Sequence, residues 1–293
     1  MGASTGRFHA GETFVQRRAG VADEAEAVGR IVGDSISPAA ARFLQDQRLA
    51  VAASLDGAGR PWASVLSGPA GFLHAVDARR LWIAAVPASD DPLASNLRAR
   101  PELGLLVLDP STRRRMRVNG RASPRQEGVL LHTDEVYGNC PKYIQRRRLR
   151  GEVEEPRGAV RPAAVLDAKQ REWIASADTL FIASFHPDSG ADASHRGGRP
   201  GFVRVESDRR IVWPDYPGNA MFNTLGNLHE YPRVGLLFLD FANGDTLQVT
   251  GRAELRFDPA RALAVEVDEV RETAGGHRLS WELIDYSPSN PGL

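Results

Sequence analysis

A chain of 293 residues has room for one large domain or two of ordinary size, and 42% hydrophobic with 25% charged residues is a globular composition, not a disordered or fibrous one. Lys+Arg and Asp+Glu both number 37, which argues against a nucleic-acid binder, because counterion release rewards a basic excess. No stretch approaches the ~20 apolar residues that cross a bilayer, and the single Cys140 excludes an intrachain disulfide framework and a multi-cysteine zinc site.

Residues 1–20 are polar and lack the apolar centre of a signal peptide, so the cytoplasm is the expected compartment. Residues 21–47 read as mostly helical, with Ser37-Pro38 as cap and first turn. An apolar run at 48–55 ends in the hairpin-type turn Asp56-Gly57-Ala58-Gly59. Short strands are expected at 62–66, 80–85, 103–108 and 116–122, with a helix at 93–100 before Pro101. Residues 124–177 read as a linker with helical stretches at 127–137 and 162–175. Further strands are expected at 179–185, 201–205, 210–213, 234–241 and 246–255, with a helix at 221–231. Many short strands punctuated by Gly and Pro indicate a small closed barrel, not a parallel α/β sheet.

The second set of strands repeats the first. Residues 95–109 align without a gap on 226–240, and Val118-Asn119-Gly120-Arg121-Ala122 on Val249-Thr250-Gly251-Arg252-Ala253, at an offset of 131. Earlier, Ala53-Ser54 matches Ala183-Ser184, Gly71-Phe72 matches Gly201-Phe202, and Arg79-Arg80-Leu81 matches Arg209-Arg210-Ile211, at an offset of 130. Such a register means duplication. The expected division is a helical extension (1–47), a first copy (48–123), a helical linker (124–177), a second copy (178–257) and a C-terminal segment (258–293).

The copies differ most where a ligand would sit. Copy two has Ser194-His195-Arg196-Gly197-Gly198-Arg199, two cations and an imidazole beside a Gly-Gly turn. It also places Asn219, Asn223 and Thr224 in a loop entering a helix, whose free N–H groups and dipole suit a phosphate. Copy one has Pro92 and Leu93 in place of Asn223 and Thr224. Asn and Thr also cap helices in every fold, and Gly-Gly also makes plain turns, so both readings stand.

These residues, from Ala193 to Phe202 and on to Leu247-Gln248-Val249-Thr250-Gly251-Arg252, resemble the flavin-nucleotide-binding proteins related to pyridoxamine 5'-phosphate oxidase. Phe8-His9-Ala10-Gly11-Glu12 and the run from Tyr137 to Ile144 extend the resemblance over nearly the whole chain. It implies a mainly β chain with flanking helices (α+β), built as two tandem split β-barrels of the FMN-binding type. It further implies a homodimer with FMN in a groove between subunits. The vitamin B6 oxidase uses a Ser-Arg-Lys stretch for the FMN phosphate; the matching Phe222, Asn223 and Thr224 have lost both cations. The resemblance therefore implies an FMN-dependent oxidoreductase acting on a small molecule or electron carrier, but not that oxidase. It places Trp213, Pro214 and Asp215 beside the flavin ring, Gln248 near ring or phosphate, and Asn139, Cys140 and Lys142 along the groove. The alternatives are a flavin-binding carrier or sensor without turnover, a split barrel for haem or a deazaflavin, and a purely structural duplicated barrel.

Other residues read as structural. Cys140 is expected to be inert, although Arg146, Arg147 and Arg148 are near in sequence. The basic runs 113–117 and 146–150 read as solvated faces, with an anion or nucleic-acid surface as the alternative. His9 with Glu12, and His132 with Asp134, lack metal-ligand spacing, so no metal is expected.

Overall fold

A computed structural model describes residues 7–154 and 156–292; the first six residues of the expected N-terminal extension lie outside this range. Three helices open the chain: α1 (Ala10–Arg18), α2 (Ala22–Gly29) and α3 (Pro38–Gln45). The Ser37 hydroxyl accepts from the Ala40 N–H with Pro38 behind it, so the cap read from the sequence holds. The first copy follows as β1 (Leu49–Leu55), β2 (Pro61–Ser67), β3 (Leu73–Asp77), β4 (Arg80–Ile83), α4 (Pro92–Ala99), β5 (Glu102–Asp109), β6 (Arg114–Arg125) and β7 (Gly128–Asn139). Then come β8 (Arg146–Glu152), β9 (Arg161–Ala163) and α5 (Ala168–Ser176). The second copy is β10 (Thr179–His186), β11 (Gly190–Gly197), β12 (Arg204–Ser207), β13 (Arg210–Pro214), α6 (Asn223–Glu230), β14 (Arg233–Leu239), β15 (Thr246–Arg256) and β16 (Ala262–Thr273), followed by β17 (Leu279–Asp285).

The expected mainly β chain of two like units is what forms. The first sheet runs β2-β1-β5-β6-β7-β4-β3 and the second β11-β10-β14-β15-β16-β13-β12, element for element the same order, all antiparallel. Even the irregularities repeat: the register slips at Asn119/Gly120 in one sheet and at Thr250/Gly251 in the other. This explains the glycine of the repeated five-residue block. A Cβ on Gly120 would lie 1.9 Å from the His132 carbonyl oxygen, and one on Gly251 2.1 Å from that of Glu266.

The segments outside the repeated blocks are less helical than expected. Residues 127–137, read as a helix, form β7, because Val129, Leu131, Thr133 and Val136 turn inward along a strand. The helix expected at 162–175 begins only at Ala168, after β9 has paired with β16. The span 124–177 thus adds a long strand to the first sheet, and 258–293 adds β16 to the second.

Each sheet wraps its own apolar cluster, and a third cluster joins the copies: Val51, Ala53, Leu106 and Leu108 meet Phe181, Ala183, Leu237 and Leu239. The approach is close and reciprocal. A Cβ on Gly104 of β5 would sit 2.5 Å from the Ala191 carbonyl oxygen of β11, and one on Gly235 of β14 2.6 Å from that of Pro61 at the start of β2. No helix among the described residues is long and apolar enough to cross a membrane.

Candidate functional site

The joint between the copies creates a groove, lined by Arg115, Arg117, Asn139 and Tyr143 from the first half and by residues of β11 and the loop ahead of α6 from the second. Strand alternation explains the first contribution: in β6, Arg115 and Arg117 share a face, which turns toward the other copy. Arg117 donates to the Tyr137 hydroxyl and to Asn223 Oδ1, both at 2.9 Å, and to the Ser194 hydroxyl; Asp192 lies 3.3 Å away. The Ser194 and Thr224 hydroxyls are 2.6 Å apart. Arg115 donates to His195 Nδ1 at 3.1 Å.

Positive charge here exceeds its local compensation. Arg117 has Asp192, and Arg196 is 3.7 Å from Asp215, which Arg261 shares at 3.0 Å. Arg115 has no carboxylate partner among the described residues. Burial, then Arg117 and Arg196, push Arg115 down to about 9. Burial likewise lowers Arg196 and, helped by Arg115, holds His195 well below the usual imidazole range. Burial works against Arg117 too, but Asp192 keeps it above its ordinary value. Arg115 Nε, Arg117 Nε and His195 Nε2 are buried without a hydrogen-bond partner. Unpaired buried donors beside excess positive charge are costly, and an anion would satisfy both.

The main chain adds to this. The residue before α6, Phe222, has φ +60° and supplies no side-chain cap, leaving the first N–H groups of the helix uncapped. Ala220 is also left-handed, at φ +62°. Two non-glycine residues in this region within one loop are a strain that functional loops tolerate.

Of the expected site residues, His195, Arg196, Pro214, Asp215, Asn219, Asn223, Thr224 and Asn139 line the groove. Ser194 stands at its floor through Arg117 and Thr224, and Asn219 donates to Asn139 Oδ1 at 2.7 Å. Ser194 to Arg196 lie in β11, which runs on through Gly197, so of the Gly-Gly pair only Gly198 is outside the strand. The others lie elsewhere. Arg199 is exposed over the Tyr286 ring. Trp213 is fully buried in the core of the second copy. Gln248 is buried against the first copy, donating to the Ala63 carbonyl and the Ser64 hydroxyl. Lys142 is exposed, and Cys140 borders an adjoining apolar cavity of about 650 Å³ with Ile31, Phe43 and Met116.

The expectation of a solvated face fails for the run 113–117, since Arg115 and Arg117 are central here. Residues 146–150 fit that expectation better: Arg146, Arg148 and Arg150 are exposed, Arg146 beside Asp285 and the other two sharing Glu282, while Arg147 is paired with buried Asp178. Among the described residues His9, His186 and Glu230 bring ligand atoms within 4.8 Å of one another. However, His186 Nδ1 accepts from the Asp188 N–H, so Nε2 carries the proton and donates to Glu230 at 2.6 Å; the His186 ring is hydrogen-bonded on both sides and stacks on His9.

Helix α1 buttresses the site. Asn223 Nδ2 donates to Glu12 Oε1 at 2.6 Å, and the His9 N–H donates to Glu12 Oε2 at 3.0 Å. Burial outweighs these bonds and raises Glu12 to about 8. The unfolded chain releases this proton near pH 4.5, so the stabilisation is complete below about 4.5 and is lost as pH rises through about 8. Urea unfolding from pH 7 to 9, above the range in which the buried His9, His195 and His277 make stability rise with pH, should show stability falling in the wild type and falling less in Glu12→Gln; parallel curves would refute this role.

A family model described as pyridoxamine 5'-phosphate oxidase matches residues 36–151 and again 166–290. No curated protein matches the chain. Among solved structures, an FAD-binding protein from Mesorhizobium loti is 14% identical, with 39% of this chain and 96% of that one covered, at a TM-score of 0.28. The FAD-binding protein from Mycobacterium smegmatis is 16% identical, with 39% and 98% covered, at 0.26. HupZ from Group A Streptococcus is 10% identical, with 42% and 98% covered, at 0.29.

Proposed function

The chain belongs to the pyridoxamine 5'-phosphate oxidase family, and from this we propose that it holds an FMN in the groove between its two copies and oxidises or reduces a small molecule there. The observation that carries the reading is the buried, under-compensated Arg115–Arg117–Arg196 cluster at the uncapped start of α6. Arg117, Ser194, Arg196, Thr224 and the first N–H groups of α6 would hold the phosphate. The cations missing from 222–224 are replaced from β6 of the other copy. The groove that the family resemblance puts between two subunits is therefore completed within one chain, and a homodimer is not needed to build it.

When bound, the flavin supplies hydride or electron transfer, and the protein supplies position and electrostatics. Pro214, Asp215 and Tyr216 line the groove beyond the phosphate residues and are offered to the ring. The 650 Å³ apolar cavity shares Arg115, Asn139 and Asn219 with the groove, and it is of a size that takes a small organic molecule. That space favours turnover over a carrier or sensor. Haem ligation by His195 is disfavoured. Arginine is only a donor, so His195 Nδ1 accepts, and Nε2 carries the proton and has no lone pair for iron.

The test is the absorption spectrum of the purified protein, before and after titration with FMN. Bands near about 370 and 450 nm that persist through gel filtration support the reading, the protein only tuning the flavin's own chemistry. A colourless protein that takes up no FMN would sink it. In the same titration Arg196→Ala and Thr224→Val should each weaken binding about tenfold, the loss of roughly one charge-assisted or well-formed hydrogen bond. A change at Leu93, the copy-one counterpart of Thr224, should leave binding intact.

A further inference from the structure

The donors that face the groove have a second set, related by the duplication. At the start of α4, Ser64, Gln248 and the Leu93 N–H converge on one point; the aligned residues at α6 are Ser194, Arg117 and Thr224, where the Ser194 hydroxyl meets both Arg117 and the Thr224 hydroxyl, the aligned pairs being 64/194, 248/117 and 93/224. Each side chain crosses the joint, Gln248 into the first copy and Arg117 into the second. The point at α4 is filled by the Asp91 carboxylate. Oδ1 accepts from the Ser64 hydroxyl at 2.6 Å and from the Leu93 N–H at 2.9 Å, and Oδ2 accepts from Gln248 Nε2 at 3.4 Å. The residue aligned with Asp91 is Phe222, which offers no acceptor, so no side chain caps the start of α6; Arg117 and Ser194 both keep Asp192 as an acceptor, at 3.3 Å, while the helix end stays open.

We propose that Asp91 is an intramolecular stand-in for a phosphate monoester. Its carboxylate occupies a second anion cradle built by duplication, so the chain binds one flavin nucleotide where the fold provides for two. The proposal rests on the phosphate reading of the groove at α6 and adds what that reading lacks. The bonds of Asp91 identify the three donors, Ser194, Arg117 and the Thr224 N–H, that take the phosphate oxygens in the open cradle. They also explain why the closed cradle carries neutral Gln248 where the open one carries Arg117: a resident carboxylate leaves no dianion to neutralise.

Crystals of the wild type, of Asp91→Ser and of Asp91→Ser/Gln248→Arg, soaked in inorganic phosphate, test this. Serine keeps a helix-capping hydroxyl while removing the carboxylate, so the single variant guards against misfolding of the double. The expected result is phosphate at α6 in all three proteins, and at α4 in the double variant and, more weakly, in the single one. Equilibrium dialysis with FMN should likewise give one site per wild-type chain and approach two in the double variant. Phosphate confined to α6 in both variants would overturn the proposal and leave the α6 reading standing. Phosphate at neither helix would overturn both.

Discussion

Arg117→Met should weaken FMN binding by about 100-fold or more, the loss that follows when one partner of a buried, hydrogen-bonded charge pair is truncated. Arg117 is the groove cation with the most contacts: Tyr137, Asn223, Ser194 and Asp192 all meet it. Methionine keeps the stem and removes the charge. Asp192 is then left buried without its cation, which costs about 3 kcal/mol of stability, so affinity must be read on protein shown to be folded by its unfolding curve. Arg117→Lys, which restores a charge but not the fork, should recover part of the affinity. Wild-type affinity in the folded methionine variant would remove Arg117 from the site.

Gly104→Ala should destabilise the chain by about 3 kcal/mol or more, at the severe end for overpacking. The added methyl meets the main chain of Ala191 and Asp192, not a flexible side chain. Because β11 also carries Ser194 and Arg196, displacing it should weaken FMN binding as well. Gly235→Ala presses on Pro61 and Trp62 instead, far along the sequence from every donor of the open groove. It should cost similar stability and leave FMN affinity of the folded protein intact. Thermal unfolding and flavin titration of the two variants separate these outcomes; equal loss of affinity in both would mean that the joint acts as one rigid unit.

The repeat was legible because its offset persists through strands, turns and the two close-packed glycine positions. Much of the groove was legible for the same reason: contrast between copies singled out residues 194–196 and 223–224. Arg115 and Arg117 were missed because a run of basic residues looks like one charged face, whereas a strand sends alternate residues to opposite sides. The aligned position holds the clue, since Gln248 occupies the place of Arg117. Gln248 itself belongs to the opposite cradle, a distinction that requires knowing that each side chain crosses the joint. The helix expected at 127–137 failed because the register slip at Asn119/Gly120 interrupts the alternation that marks a strand.

The covalent tether between the copies also changes what mutation can explore. In an assembly of two identical subunits, one codon writes the same residue into both cradles, and an arginine gained in one is gained in the other. Here positions 117 and 248 are separate codons, as are 91 and 222. One cradle has closed on its own carboxylate while the other is left to take a ligand, a division of labour closed to any protein that must meet its own image across the joint.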